Sequence, residues 1–250
     1  MVRIIRESIL LRRLWALGVV ATILLAPLTS HAIRLYRFDV GVFNGRLTYT
    51  RSGMTYPFNT QASTYFAGEF EAGSRYRFVL GGTYEQYKVT TNSLVPSGFP
   101  LELNYSDIKM GLAIATSWIE WRFLLSHFNT PLTYYVFTSV DNLVPYSATG
   151  EYFRIESIMY AKAANYRLQF HYYFAMLLTP IALPSEMNGI AMPGGEATGN
   201  YFLGGCARVF LGSDKFRIGP SICVDLQELY LPRSAVVNRQ EVGVRLTMEF

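Results

Sequence analysis

The sequence predicts an all-β chain, a transmembrane antiparallel up-and-down β-barrel of about ten strands, and three observations lead there. Half of the residues are hydrophobic and 15% are aromatic, yet after the first 32 residues no apolar run reaches the roughly 20 residues of a transmembrane helix. Apolar and polar residues instead alternate in stretches of about ten, the length of a tilted strand crossing hydrocarbon. The segments between these stretches are by turns short and long, as hairpins are when they reverse at opposite ends of a barrel.

Residues 1–32 read as a processing signal. Arg3, Arg6, Arg12 and Arg13 form a basic head, and Leu14 to Leu28 form an apolar body whose only polar side chain is Thr22. Ser30-His31-Ala32 places small residues where a signal peptidase requires them, so cleavage after Ala32 is expected and the barrel comprises residues 33–250. A retained anchor would need about 20 apolar residues, and this body falls short. No cysteine follows the apolar body, so lipid attachment there is not indicated.

Residues 33–250 carry 18 basic and 17 acidic side chains, so the excess of positive charge in the whole chain comes mostly from the signal. A near-neutral barrel offers no nucleic-acid-binding surface. In an exported chain Cys206 and Cys223 are free to form a disulfide.

The last segment shows the alternation most clearly. Over Glu241 to Phe250, Val242, Val244, Leu246, Met248 and Phe250 share one face, opposite Gly243, Arg245, Thr247 and Glu249. Tyr166 to Met176 and Phe216 to Leu229 repeat it, and further strands are expected at Arg34 to Phe43, Thr64 to Glu71, Arg75 to Tyr87, Asp107 to Ala115, Trp118 to Ser126, Tyr152 to Tyr160 and Tyr201 to Leu211. An extra strand over Leu132 to Val140 would raise the count to twelve. On the outward phase only Arg34 and Glu228 are charged, both at strand ends.

Short turns are expected at Ala72-Gly73-Ser74, Ala115 to Ser117, Ala161 to Asn165 and Gly212 to Lys215. Long loops are expected at Asn44 to Ser63, Lys88 to Ser106, His127 to Glu151, Leu177 to Asn200 and Tyr230 to Gln240. There is no internal repeat or low-complexity tract.

With the signal, the alternation and the ending on Val244, Leu246, Met248 and Phe250, the chain resembles the outer-membrane β-barrel proteins of Gram-negative bacteria, at the level of the superfamily. The resemblance implies residence in the outer membrane, with lipid and the barrel-insertion machinery as partners. It also implies turns on the periplasmic side, loops outside and an assembly signal in the terminal alternation. An extracellular or envelope partner, of no specified kind, would then meet the loops.

No catalytic constellation is legible. Omptin-type surface proteases on ten strands carry paired acidic residues and an Asp-His pair, but Asp39, Asp107, Asp141, Asp214 and Asp225 have no Asp or His two positions away. Outer-membrane lipases and deacylases place His and Ser two residues apart, whereas His127 precedes Phe128-Asn129 and His171 precedes Tyr172-Tyr173. His171 points inward and is expected to hydrogen-bond its neighbours, Arg154 among them. Two distant His and two Cys lack metal-ligand spacing, and no cofactor is indicated.

The inward phase is rich in charge of both signs, including Arg154, Glu156 and Arg167. A three-residue turn at 72–74 would place Glu71 opposite Arg75 and Glu69 opposite Arg77, two stacked ion pairs at the periplasmic mouth. Interleaved signs favour a salt-bridged plug, and thus a structural or surface-interaction role, over a narrow passive channel for small solutes. An outer-membrane hydrolase is the remaining alternative. The aromatics Tyr76, Tyr84, Trp118, Trp121, Tyr166 and Tyr201 are expected to anchor the barrel at the lipid headgroups.

Overall fold

The computed structural model describes residues 33–51, 53–90, 100–135, 143–163, 166–183, 186–187, 190–191, 195–197, 199–213, 215–231 and 235–250. Residues 1–32, where the signal is expected, lie outside these. The strands are β1 (Ile33–Arg51), β2 (Met54–Gly73), β3 (Tyr76–Thr90), β4 (Pro100–Ala115), β5 (Ile119–Tyr135), β6 (Leu143–Ala163) and β7 (Tyr166–Leu177). Four short strands follow, β8 (Ile181–Leu183), β9 (Glu186–Met187), β10 (Ile190–Ala191) and β11 (Gly195–Ala197), and then β12 (Gly199–Gly212), β13 (Arg217–Leu231) and β14 (Ala235–Glu249).

Ten strands close into one antiparallel barrel in the order β1-β14-β13-β12-β7-β6-β5-β4-β3-β2, while β8 pairs with β11 and β9 with β10 outside it. Closure is completed where Tyr36 and Phe250 exchange backbone hydrogen bonds, at 2.9 and 3.1 Å. A closed sheet satisfies the backbone groups that an edge strand would leave open, which is what allows a β-structure to lie in lipid.

Alternation assigns the two faces. Along β14 and the Phe250 that follows it, the side chains of Val242, Val244, Leu246 and Phe250 are exposed, and those of Glu241, Arg245, Thr247 and Glu249 are buried. Such an inverted distribution of apolar and charged residues is the pattern of a lipid-facing barrel. The apolar band is uneven. On β7 it runs through six positions from Tyr166 to Met176, but on β1 it spans Tyr36, Phe38, Val40 and Val42 before Asn44 and Arg46. The expected girdle aromatics Tyr76, Tyr84, Trp118, Trp121, Tyr166 and Tyr201 are all exposed.

Several expectations need correction. The strands run further outward than the alternation alone reaches, so the first long loop shrinks to the connection between Arg51 and Met54. Arg46, His127 and Glu151 therefore join Glu228 on the outer face, with His127 directly across from Glu151. Glu228 accepts from Tyr201 and, at 3.0 Å, from Tyr230, so its charge is held by two phenols at the end of the band. Leu132 is not in an eleventh barrel strand but in the outer part of β5, where it pairs with Tyr146.

The β2–β3 turn also differs. Gly73 pairs with Arg77, Glu71 with Val79 and Glu69 with Gly81, so the reversal is centred on Arg75 and not on Gly73. Gly73 itself sits at φ 133°, open to glycine and strained for other residues. Arg75 is consequently exposed in the turn, its guanidinium 5.8 Å from the Tyr76 ring centre. Neither expected cross-strand pair, Glu71–Arg75 or Glu69–Arg77, is formed.

Candidate functional site: the barrel lumen

Among the described residues, ten buried or half-buried basic side chains point inward (Arg37, Arg77, Lys109, Arg122, Arg154, Arg167, Arg208, Arg217, Arg239 and Arg245). So do ten acidic ones (Asp39, Glu69, Glu71, Glu85, Asp107, Glu120, Glu156, Asp225, Glu241 and Glu249). Their balance matters because an ion stripped of water costs several kcal/mol unless partners replace the solvent.

Arg122 on β5 is the centre of the arrangement. It is fully buried, and its guanidinium reaches four carboxylates: Glu120 at 2.5 Å, Glu69 at 2.7 Å, Glu156 at 3.3 Å, and Glu71. Each carboxylate is shared with a second cation. Arg37 and Lys109 bind Glu69 at 2.9 and 2.8 Å, Lys109 and Arg154 bind Glu156 at 3.2 and 2.5 Å, and Arg77 binds both Glu71 (3.2 Å) and Glu120 (2.8 Å). Strands β1 to β6 thus meet at one network of buried and half-buried ion pairs. The sequence places Glu69, Glu71, Arg77 and Arg122 inward alike, and Arg122 stands out only when its partners from β2, β5 and β6 are assembled.

His171 does not bond Arg154. Its Nε2 lies 3.2 Å from Glu156 and its Nδ1 3.4 Å from Arg208, while Arg154 stacks 4.0 Å from the Tyr173 ring centre. Both partners are themselves held in ion pairs, Glu156 with Lys109 and Arg154, and Arg208 with Asp39 at 3.8 Å. Arg167, near the turns, stacks on Tyr160 at 3.9 Å.

Toward the loops the lumen becomes aromatic. Tyr105, Phe202 and Tyr173 come from β4, β12 and β7 and stack across the interior, with centroids 6.4 and 5.4 Å apart. Gln227 donates to the Tyr152 hydroxyl at 3.0 Å, and Phe128 stacks on Tyr152 at 4.1 Å. Tyr105 falls in a segment that reads as loop, so sequence reasoning misses this layer. Inward glycines make room for it: a side chain at Gly204 would collide with the Tyr173 hydroxyl and Asp225.

Three carboxylates, Glu85, Asp225 and Glu241, bring oxygens within 4.8 Å of one another. The chain's own cations occupy them. Arg239 binds Glu85 and, at 2.5 Å, Glu241, while Arg245 binds Asp225 at 2.7 Å and Tyr173 donates to the same residue.

Cys206 and Cys223 are directly opposite on β12 and β13 and are joined by a disulfide, with Cα atoms 4.1 Å apart. Val244, Leu246 and Phe250 face outward, and Phe250 packs against Phe216 and Phe38 at 5.2 and 6.2 Å.

Among solved structures, the chain is similar to the outer membrane protease OmpT from Escherichia coli, with a TM-score of 0.56 and 7% identity over 89% of this chain and 97% of that one. The fold is that of the outer-membrane β-barrels. The translocator domain of the autotransporter NalP from Neisseria meningitidis also matches, at a TM-score of 0.40 and 11% identity over 96% of this chain and 95% of that one. So does the β-domain of the Bordetella autotransporter BrkA, at 0.41 and 10% over 84% and 98%. At such identity the likeness to the protease shows architecture alone. No protein-family model matches the chain, and no curated protein matches it.

Proposed function

We propose that this outer-membrane-type barrel is a sealed structural or surface-interaction element of a Gram-negative envelope, whose loops carry its specificity. The observation that carries this reading is the fully buried Arg122 among four carboxylates. A conducting path tends to segregate charge along hydrated walls, whereas this interior neutralises it at contact distance. The stacked aromatic layer supports the same reading nearer the loops. The apolar outer face supplies the lipid contact, and insertion would proceed through the barrel-assembly machinery acting on β14. Loops on a rigid scaffold are the usual seat of recognition, which makes an extracellular or envelope partner the reading for the outer end.

Purified barrel reconstituted in planar bilayers tests the reading. Wild type is expected to give little or no steady conductance, and Arg122→Ala to be unstable or leaky. A large, stable wild-type conductance would overturn the seal and favour a channel for small solutes.

A further inference from the structure

The β12–β13 hairpin has an unusual problem of register. Gly204, Gly205, Gly212 and Gly219 lie within it and bring no side chain to the pairing at their positions. Its ladder omits Val209–Pro220 and Phe210–Gly219, where Pro220 has no N–H to donate. A slip of one residue would turn apolar side chains inward and is rejected by the lipid. A slip of two keeps every side chain on its proper face, so alternation offers no defence against it. The Cys206–Cys223 bond does, because the slipped hairpin would set Cys206 against Ser221 or Asp225.

The same bond is out of reach in the finished barrel. Cys206 and Cys223 are 5% and 1% exposed. Across the strands they are flanked by His171 and Gly243, and the Arg245 guanidinium lies 3.8 Å from the Cys206 sulfur. Lipid lies on the other side of the sheet, and the charge network and aromatic layer lie along the axis.

We propose that Cys206 and Cys223 are oxidised on the open chain, before the barrel closes, by an envelope oxidoreductase carrying a reactive disulfide, and that this bond fixes the β12–β13 register for closure. The inference rests on export and on the packed lumen argued above. One cysteine thiolate attacks the oxidoreductase disulfide, forming a mixed disulfide and releasing one of its thiolates. The second cysteine thiolate then attacks the sulfur of the first and releases the other. The two cysteines lose two electrons and two protons, and the oxidoreductase is left as a dithiol.

The test begins with the reduced, urea-unfolded chain folded into detergent micelles under reductant, with folding judged by the compact, heat-sensitive gel band. Reductant is removed and oxidised glutathione added to folded and unfolded samples. Free thiols are counted by alkylation and mass spectrometry after acid quench and unfolding. The folded barrel should keep its thiols at least about tenfold longer than the unfolded chain, since exchange requires access to the sulfur. Equal rates would overturn the order of events. Failure of the reduced chain to fold would support it, since closure would then require the bond. Register fixing is read from the Cys206→Ser, Cys223→Ser double variant folded beside oxidised wild type. A lower folded yield or slower folding is expected, and unchanged yield and rate would overturn it. Conductance reads a continuous path and thiol oxidation reads access to one row, so the seal and this inference can fail separately.

Discussion

Arg37 on the first strand and Glu249 on the last are direct cross-strand partners, and the guanidinium donates twice to one carboxylate oxygen, from Nε at 2.9 Å and from Nη2 at 2.7 Å. The seam that closes the barrel is thus held by a buried ion pair as well as by its backbone ladder. Removing one partner strips the other of its main contact but not of every contact, since Arg37 keeps Glu69 at 2.9 Å and Glu249 keeps Arg217 at 3.5 Å. Arg37→Ala and Glu249→Ala are each expected to lower stability by less than the ~3 to 5 kcal/mol of a buried charge left wholly unpaired. The double variant should lose less than the two losses combined, as measured by urea unfolding in lipid vesicles. Strict additivity would show that the pair is not coupled.

Arg75 and Arg77 are expected to behave differently. Arg75 is exposed in the turn, and Arg75→Ala should change stability by less than about 0.5 kcal/mol. Arg77 bridges Glu71 and Glu120, and its loss should be clearly destabilising, by about 1 to 3 kcal/mol given its partial exposure. Equal unfolding midpoints for the two variants would contradict the register described here.

Gly204 is expected to accept a side chain only at a cost. Gly204→Ala drives a methyl group into Tyr173 and Asp225, and overpacking of this kind costs about 1 to 3 kcal/mol. Adding Tyr173→Phe removes the hydroxyl in the way and should recover part of the loss. If Gly204→Ala melts like wild type, the lumen is looser at that level than the contacts indicate.

Cleavage after Ala32 predicts a mature N-terminus at Ile33. Intact-mass measurement on protein taken from envelope membranes decides this, and a chain retaining residues 1–32 would contradict it.

How much of the fold can be read from the sequence depends on depth in the membrane. Where lipid borders one face, as over Tyr166 to Met176 or Val242 to Phe250, the contrast between faces is strong and strand, phase and inward residues all emerge. Beyond the lipid both faces meet water, the contrast fades, and the outer parts of β1, β2, β5 and β6 read as loop although their ladders continue. Hairpin register is weaker still. Placing the β2–β3 reversal at Gly73 or at Arg75 leaves Glu69, Glu71 and Arg77 facing inward, so phase alone cannot choose between them. Ion pairs across the lumen lie deeper, since Arg122 meets Glu69 only once the sheet has curled through β3 and β4 to bring β5 and β2 together.

The uneven apolar band has a mechanical consequence for the surrounding bilayer. Beside β7 and β13 the outer face is apolar for about a full strand crossing, whereas beside β1 it yields to Asn44 and Arg46 much sooner. A flat slab of hydrocarbon of constant thickness cannot match both sides, so the barrel leans or the lipid thins along β1. Compressed lipid stores elastic energy that is released when two thinned zones merge. In an outer membrane the β1 side would be the flank that bears most of this mismatch.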